Sequence, residues 1–222
     1  MQDRVLLPHS YADNAVAVNK VLKNTYMLLA MTLGLSAFTA FLSLDSAPLN
    51  IWVIIGGTYG LLFLTHMLAN SAWGLAAVFA FTGFIGYTTG PIIGMFMGSA
   101  IGSQIVMQAL GGTAIIFFAL SGYALVSRKD FSFMSGFLFA GSIVLIVAMV
   151  AAVFLKLPAL NLAISAGFML FSSAVILYQT SDIIHGGERN YIRATVTLYV
   201  SIYNIFMSLL NLLSAFSGGD DR

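Results

Sequence analysis

The sequence predicts an all-α integral membrane protein with seven transmembrane helices. Of its 222 residues, 59% are hydrophobic and 8% charged, against about 45–50% and about 25% in an ordinary soluble domain. Asp, Glu, Lys and Arg are absent from Ser46 to Ser127, from Asn24 to Leu44, from Phe131 to Leu155, from Leu157 to Ser181 and from Ala194 to Gly219. A spanning helix needs about 20 apolar residues. The first of these intervals therefore holds three spans and each of the others one.

In order, the spans are expected at residues 23–44, 48–68, 72–96, 104–126, 132–155, 159–184 and 192–216. The breaks between them are Asp45 to Pro48, the weakly polar Asn70-Ser71, the run from Gly98 to Ser103, Arg128-Lys129-Asp130, Lys156 to Pro158, and the loop through Gly186-Gly187. Residues 1–22 form an expected N-terminal tail carrying Asp3, Arg4, His9, Asp13 and Lys20. The tail lacks the apolar core and small-residue cleavage site of a signal peptide, so the first span is expected to direct insertion. Residues 217–222 form a short C-terminal tail, and no soluble domain or internal repeat is visible.

Basic residues set the expected orientation. The N-terminal tail and the loops on its side hold Arg4, Lys20, Lys23, Arg128, Lys129, Arg189 and Arg193, while the other side holds Lys156 and Arg222. Cytoplasmic loops carry the excess of Lys and Arg, which places the N-terminus in the cytoplasm and the C-terminus outside. The connection between the second and third spans has no charge and is the weakest point of this topology. A formal net charge of +1 argues against nucleic acid as a partner, and the absence of cysteine removes disulfides and thiolate metal sites.

Two groups of residues stand out from the apolar background. Glycines at 86, 90, 94, 98 and 102 recur every four residues, which lines them on one helical ridge where another backbone can approach closely. Within this run Pro91 deprives the Tyr87 carbonyl of its helical amide partner. Gly86, Gly90, Pro91 and Gly94 are thus candidates for tight packing or for a hinge. The second group lies in the last two spans. Thr197, Ser201, Asn204, Ser208 and Asn211 make one face of the seventh span polar from end to end. Such a helix is poorly suited to lipid, and it is expected to sit centrally with the other six around it. Its polar groups either bond neighbouring helices or line a cavity or ion path.

The sixth span has a weaker stripe, Ser165, Ser172 and Gln179, with Asp182 one turn beyond and His185 three residues further on the same side. Asp182 is either a helix-end carboxylate satisfied by a loop cation or a group that senses protons or cations. His66 is read as interfacial. No His-Glu-x-x-His helix, nucleophile elbow, phosphate loop or pair of intramembrane aspartates is present, so neither an enzyme nor a cofactor or metal site is expected.

Seven spans, the Gly83 to Pro91 motif, Tyr178-Gln179-Thr180-Ser181-Asp182-Ile183-Ile184 and Leu198-Tyr199-Val200-Ser201-Ile202-Tyr203-Asn204-Ile205-Phe206 together resemble the Bax inhibitor-1 (TMBIM) family. The loop from His185 to Val196 is similar to its bacterial YccA-like branch in particular. The resemblance covers the chain from Lys20 to Leu213. It implies a last helix enclosed by six others and a multi-pass location in the bacterial inner membrane. It also implies two functions: negative modulation of a membrane-bound AAA protease of the FtsH type, with its associated regulators, and a pH-sensitive calcium leak.

The leak is attributed in the family to two aspartates that share a proton. Their matching positions here are Gln179 and Ser201, which can hydrogen-bond but do not titrate near neutrality. The expectation is therefore an uncharged polar latch between Gln179 and Ser201, with weak or absent pH gating and no transferable calcium (Ca2+) site. Gln179, Asp182, Ser201 and Asn204 are the candidates for a latch or an ion path. Asp3, Arg4 and Asp13 mark the tail as a handle by which a protease would begin to pull, making the chain a slow, competing substrate.

Overall fold

The computed structural model describes the backbone of residues 9–217 and the side chains of residues 16–217. Asp3, Arg4 and Arg222 lie outside the described residues, and of Asp13 only the helical backbone is described. Seven helices follow in order: α1 His9–Leu42, α2 Ile51–Leu68, α3 Gly74–Met97, α4 Gly102–Ser127, α5 Ser135–Leu155, α6 Pro158–Ile184 and α7 Tyr191–Ser217. All seven are long and apolar enough to cross a membrane. Six match the expected spans closely. The first does not: α1 starts at His9, so the segment expected as a tail over residues 1–22 is already helical for most of its length. Its polar residues do not end the helix because no proline or glycine lies between Ser10 and Leu33.

Local chemistry fixes the other ends. Asn50 caps α2 by accepting from the Trp52 amide at 2.9 Å, and Pro158 occupies the first turn of α6, where its missing amide costs nothing. Helix α6 ends in a paired reversal in which Gly186 donates to the Ile183 carbonyl at 3.1 Å and Gly187 to the Asp182 carbonyl at 2.9 Å. This Schellman geometry requires the left-handed conformation that Gly186 adopts, at φ 77°. Asn190 then caps α7, its Oδ1 accepting from the Ile192 and Arg193 amides at 2.9 and 3.1 Å.

Helix α7 packs against α1, α3, α4 and α6, while α3 also lies along α1 and α2, and α5 lies along α6. The largest buried cluster joins Leu28 and Leu29 of α1, Val78 and Phe81 of α3, Ile176 of α6, and Leu198, Tyr199 and Ile205 of α7. Helices α2 and α5 are peripheral: α5 buries none of its residues, and α2 buries only Thr65. Their large apolar side chains, such as Phe63, Phe137 and Phe154, face outward, as lipid contact requires.

The glycine ridge packs α3 against α1. A methyl group on Gly86 would strike the Ser36 backbone, one on Gly90 the Ala40 carbonyl and the Ser43 hydroxyl, and one on Gly94 the Leu44 carbonyl. The ridge stops there. Gly98 lies beyond the helix end, and Gly102 opens α4 against the Phe96 carbonyl. Helix α3 runs unbroken through Pro91, and the hydroxyl of Ser43, just after α1, lies 2.9 Å from the Tyr87 carbonyl that the proline leaves free. The same close approach that the glycines permit thus brings a hydroxyl within reach of the freed carbonyl, beside the Thr39 and Ala40 carbonyls of α1.

Candidate functional site

Buried polar side chains among the described residues are all serine or threonine except Gln179. Many satisfy themselves within their own helix. Thr82 donates to the Val78 carbonyl at 2.9 Å, Thr89 to Ile85 at 2.6 Å, Thr113 to Ala109 at 2.7 Å and Ser201 to Thr197 at 2.8 Å. A hydroxyl reaching the carbonyl four residues back closes its hydrogen-bonding need inside one helix. Polar periodicity alone cannot distinguish this solution from bonds to a neighbour or to water.

The expected latch is not made. Ser201 donates to its own helix, and Gln179, only 6% exposed, leaves its Nε2 without any hydrogen-bond partner. An unpaired buried amide donor costs about 1–3 kcal/mol, so Gln179 makes no lock in this arrangement. The Thr25 hydroxyl of α1 is the other buried group without a partner among the described residues.

Asp182 is partly buried at the end of α6, with its carboxylate lying over Gly187, where a Cβ would collide with it. The loop nitrogens near it are engaged with backbone. His185 Nδ1 lies 2.8 Å from the Ser181 carbonyl, and Arg189 Nε donates to the Gly186 carbonyl at 3.2 Å. Beyond this end lies a groove of about 700 Å³ formed by α1, the end of α4 and the loop after α6.

Asn204 lies elsewhere. With Ser208, Asn211 and Ser165 it lines a second cavity of about 470 Å³, where Asn211 Nδ2 donates to the Ser165 hydroxyl at 2.7 Å. The two cavities share no lining residue. Between them α7 is sealed by Val196, Leu198, Tyr199 and Ile202, all buried. The four residues expected to act together are thus divided: Asp182 near one end, Asn204 at the other cavity, and Gln179 and Ser201 unconnected in the packed interior.

Besides the Asn211–Ser165 bond, several cross-links between helices fall on residues outside the two polar stripes. Tyr199 of α7 shares a hydrogen bond of 2.7 Å with the Ser36 hydroxyl of α1, and its own hydroxyl lies 3.3 Å from the Thr82 carbonyl of α3. Tyr26 of α1 meets the Ser121 hydroxyl of α4 and lies 3.4 Å from Thr180 Oγ1 of α6. Ser181 pins the connection between α4 and α5, accepting from the Phe131 amide and donating to the Lys129 carbonyl, both at 3.0 Å. Asn190 ties the loop before α7 to the end of α2, donating to the Ala69 carbonyl at 2.9 Å and to Asn70 Oδ1 at 2.7 Å. A tyrosine in an apolar span needs a partner for its hydroxyl, and that signal was available at Tyr26 and Tyr199.

A family profile described as "Inhibitor of apoptosis-promoting Bax1" matches residues 18–218. The chain is 52% identical over 224 residues to an uncharacterized protein of Pseudomonas aeruginosa, an alignment that covers 100% of each chain. It is also 52% identical over 215 residues to the protein of Escherichia coli K12 named "Modulator of FtsH protease YccA", covering 95% of this chain and 97% of that one. The same figures hold for a protein of Escherichia coli O6:H1 named "Inner membrane protein YccA".

Proposed function

This chain belongs to the Bax inhibitor-1 family, and we propose that it acts as a multi-pass protein of the bacterial inner membrane that binds a membrane-bound AAA protease of the FtsH type and lowers its activity toward other substrates. One observation carries the mechanism. Helix α1, the first element that a protease pulling from the N-terminus would reach, is fastened to four others: to α3 by the glycine seam, to α7 by Tyr199, to α4 by Tyr26, and to α6 by Tyr26 and Thr180. A chain that offers an accessible end but resists extraction occupies the protease without being degraded quickly.

In this reading the N-terminus faces the cytoplasm, following the excess of basic residues on its side, and Asp3, Arg4 and Asp13 lie in the segment that is engaged first. Helix α7 serves as the axis on which α1, α3, α4 and α6 are held, with α2 and α5 shielding the outside. The decisive experiment deletes residues 2–15 and follows both association with the protease and turnover of the chain in native membranes. Association and turnover should both fall. If neither changes, the slow-substrate mechanism is wrong.

A cation leak is the second reading, and the cavity beside Asn204 is what favours it. The buried band from Val196 to Ile202 means that α7 would have to move for ions to pass, with Pro91 as the available hinge in α3. Calcium flux into liposomes, compared between wild type and Asp182→Asn from mildly acidic to mildly basic pH, tests it. Flux no higher than in empty liposomes ends the leak reading and leaves the protease reading untouched.

A further inference from the structure

We propose that the groove between the start of α1, the end of α4 and the loop after α6 binds the headgroup of an anionic phospholipid. Three cations from three separate elements line it: Lys20 of α1, Arg128 just after α4, and Arg189 of the loop. The rest of the lining combines apolar Val21, Leu125 and Ile184 with polar Asn19, Asn24 and His185. A pocket that combines three cations with apolar side chains of spanning helices matches a lipid, which presents a phosphate above a glycerol and acyl chains. A free anion gains nothing from the apolar side chains. The one acidic lining residue, Glu188, is engaged locally, its Oε1 accepting the Asn190 amide at 2.7 Å.

Two details of the backbone support a role for the cations beyond general surface charge. Arg189 is held by its Nε bond to the Gly186 carbonyl, which leaves both terminal nitrogens of the guanidinium for a phosphate. Arg128 occupies the left-handed conformation, at φ 48°, where a helix ordinarily places glycine. A side chain kept at a position where its backbone is strained is a reason to ask what that side chain does. Lys156 shares this conformation after α5, at φ 50°, but does not line the groove, and so provides an internal control. The inference is independent of the protease reading.

The test uses the purified full chain in detergent, titrated with phosphatidylglycerol, with phosphatidylcholine of the same acyl chains, or with inorganic phosphate. Retained lipid is read by native mass spectrometry and stabilisation by thermal unfolding. Wild type should retain phosphatidylglycerol in preference to phosphatidylcholine and be stabilised by it. Arg128→Gly should weaken that binding by about tenfold or more, the loss of a charge-assisted contact, while its lipid-free stability holds or rises as the backbone strain is relieved. Lys156→Gly should show the same relief with binding unchanged. Lys20→Ala and Arg189→Ala should each weaken phosphatidylglycerol binding without affecting phosphatidylcholine. Equal retention of the two lipids overturns the proposal. So does equal stabilisation by inorganic phosphate, which would make the groove a site for free anions, and so does an undiminished preference in all three groove variants.

Discussion

Helices α2 and α5 and helices α3 and α7 are all long enough to cross a membrane, yet they solve opposite problems. The first pair presents large apolar side chains outward and buries almost nothing; the second pair buries about half of its residues around glycine, serine, threonine and tyrosine. In water the most apolar helix would be the innermost. In lipid there is no hydrophobic gain from moving a leucine off the tails and onto another helix. Close approach and hydrogen bonding decide instead, so glycines and hydroxyl-bearing side chains mark the inner helices, and the most hydrophobic helix, α5, lies outside.

The largest effect expected from this contrast is at the seam between α1 and α3. Gly86→Ala and Gly90→Ala place a methyl against backbone of α1 and should destabilise the protein by about 1–3 kcal/mol or more, whereas Gly136→Ala in α5, which meets nothing within 4 Å, should stay within about 0.5 kcal/mol. Thermal unfolding in matched lipid–detergent mixtures gives the comparison. Similar losses at positions 86 and 136 would erase the distinction between inner and outer helices.

A smaller effect isolates the hydrogen bonds from the packing. Tyr199→Phe keeps the ring against Phe81, whose centroid is 6.0 Å away, but removes the hydroxyl that joins α7 to α1 and α3. A loss of about 1 kcal/mol is expected, against none for Phe139→Leu on the exposed face of α5. An unchanged Tyr199→Phe would show that α7 is held by shape alone.

The smallest effect lies at the entrance to α5. Asp130 accepts from the Ser132 amide at 2.8 Å, and the backbone and side-chain hydrogen bonds of Ser132 hold its carboxyl below the usual range. A depressed carboxyl contributes stability above its unfolded pKa of about 3.9 and loses it as pH falls through the lower folded value. Stability measured as pH is lowered should therefore drop slightly more in wild type than in Asp130→Asn. Equal profiles would show that the turn before α5 owes nothing to that carboxylate, as the peripheral placement of the helix would allow.

The last two helices show where reading the sequence succeeds and where it stops. The spacing of Thr197, Ser201, Asn204, Ser208 and Asn211 identified the side of α7 that avoids lipid. It did not reveal that Ser201 would bond back to Thr197 while Asn204 and Asn211 would line a cavity, because a hydroxyl two bonds from Cα reaches its own helix and a carboxamide, one bond longer, does so less readily. The latch failed for the same reason. Matching positions in the family's motifs name two residues, but side-chain direction and the nearest free carbonyl choose the bond.

The sequence by itself determined the seven helices and nearly all their ends, since span length and the breaks between charge-free runs answer to the thickness of lipid and to proline, glycine and asparagine acting locally. It also offered a ridge of glycines for packing or a hinge, of which Gly86, Gly90 and Gly94 meet a neighbouring backbone as one ridge and Gly98 and Gly102 do not belong to it. Only the tertiary structure decided that this ridge receives α1, that the Ser43 hydroxyl comes within reach of the carbonyl Pro91 frees, and that Lys20, Arg128 and Arg189 converge on one groove. Each of these depends on which helices lie side by side, and apolar spans of similar length carry too little individual character to specify their neighbours.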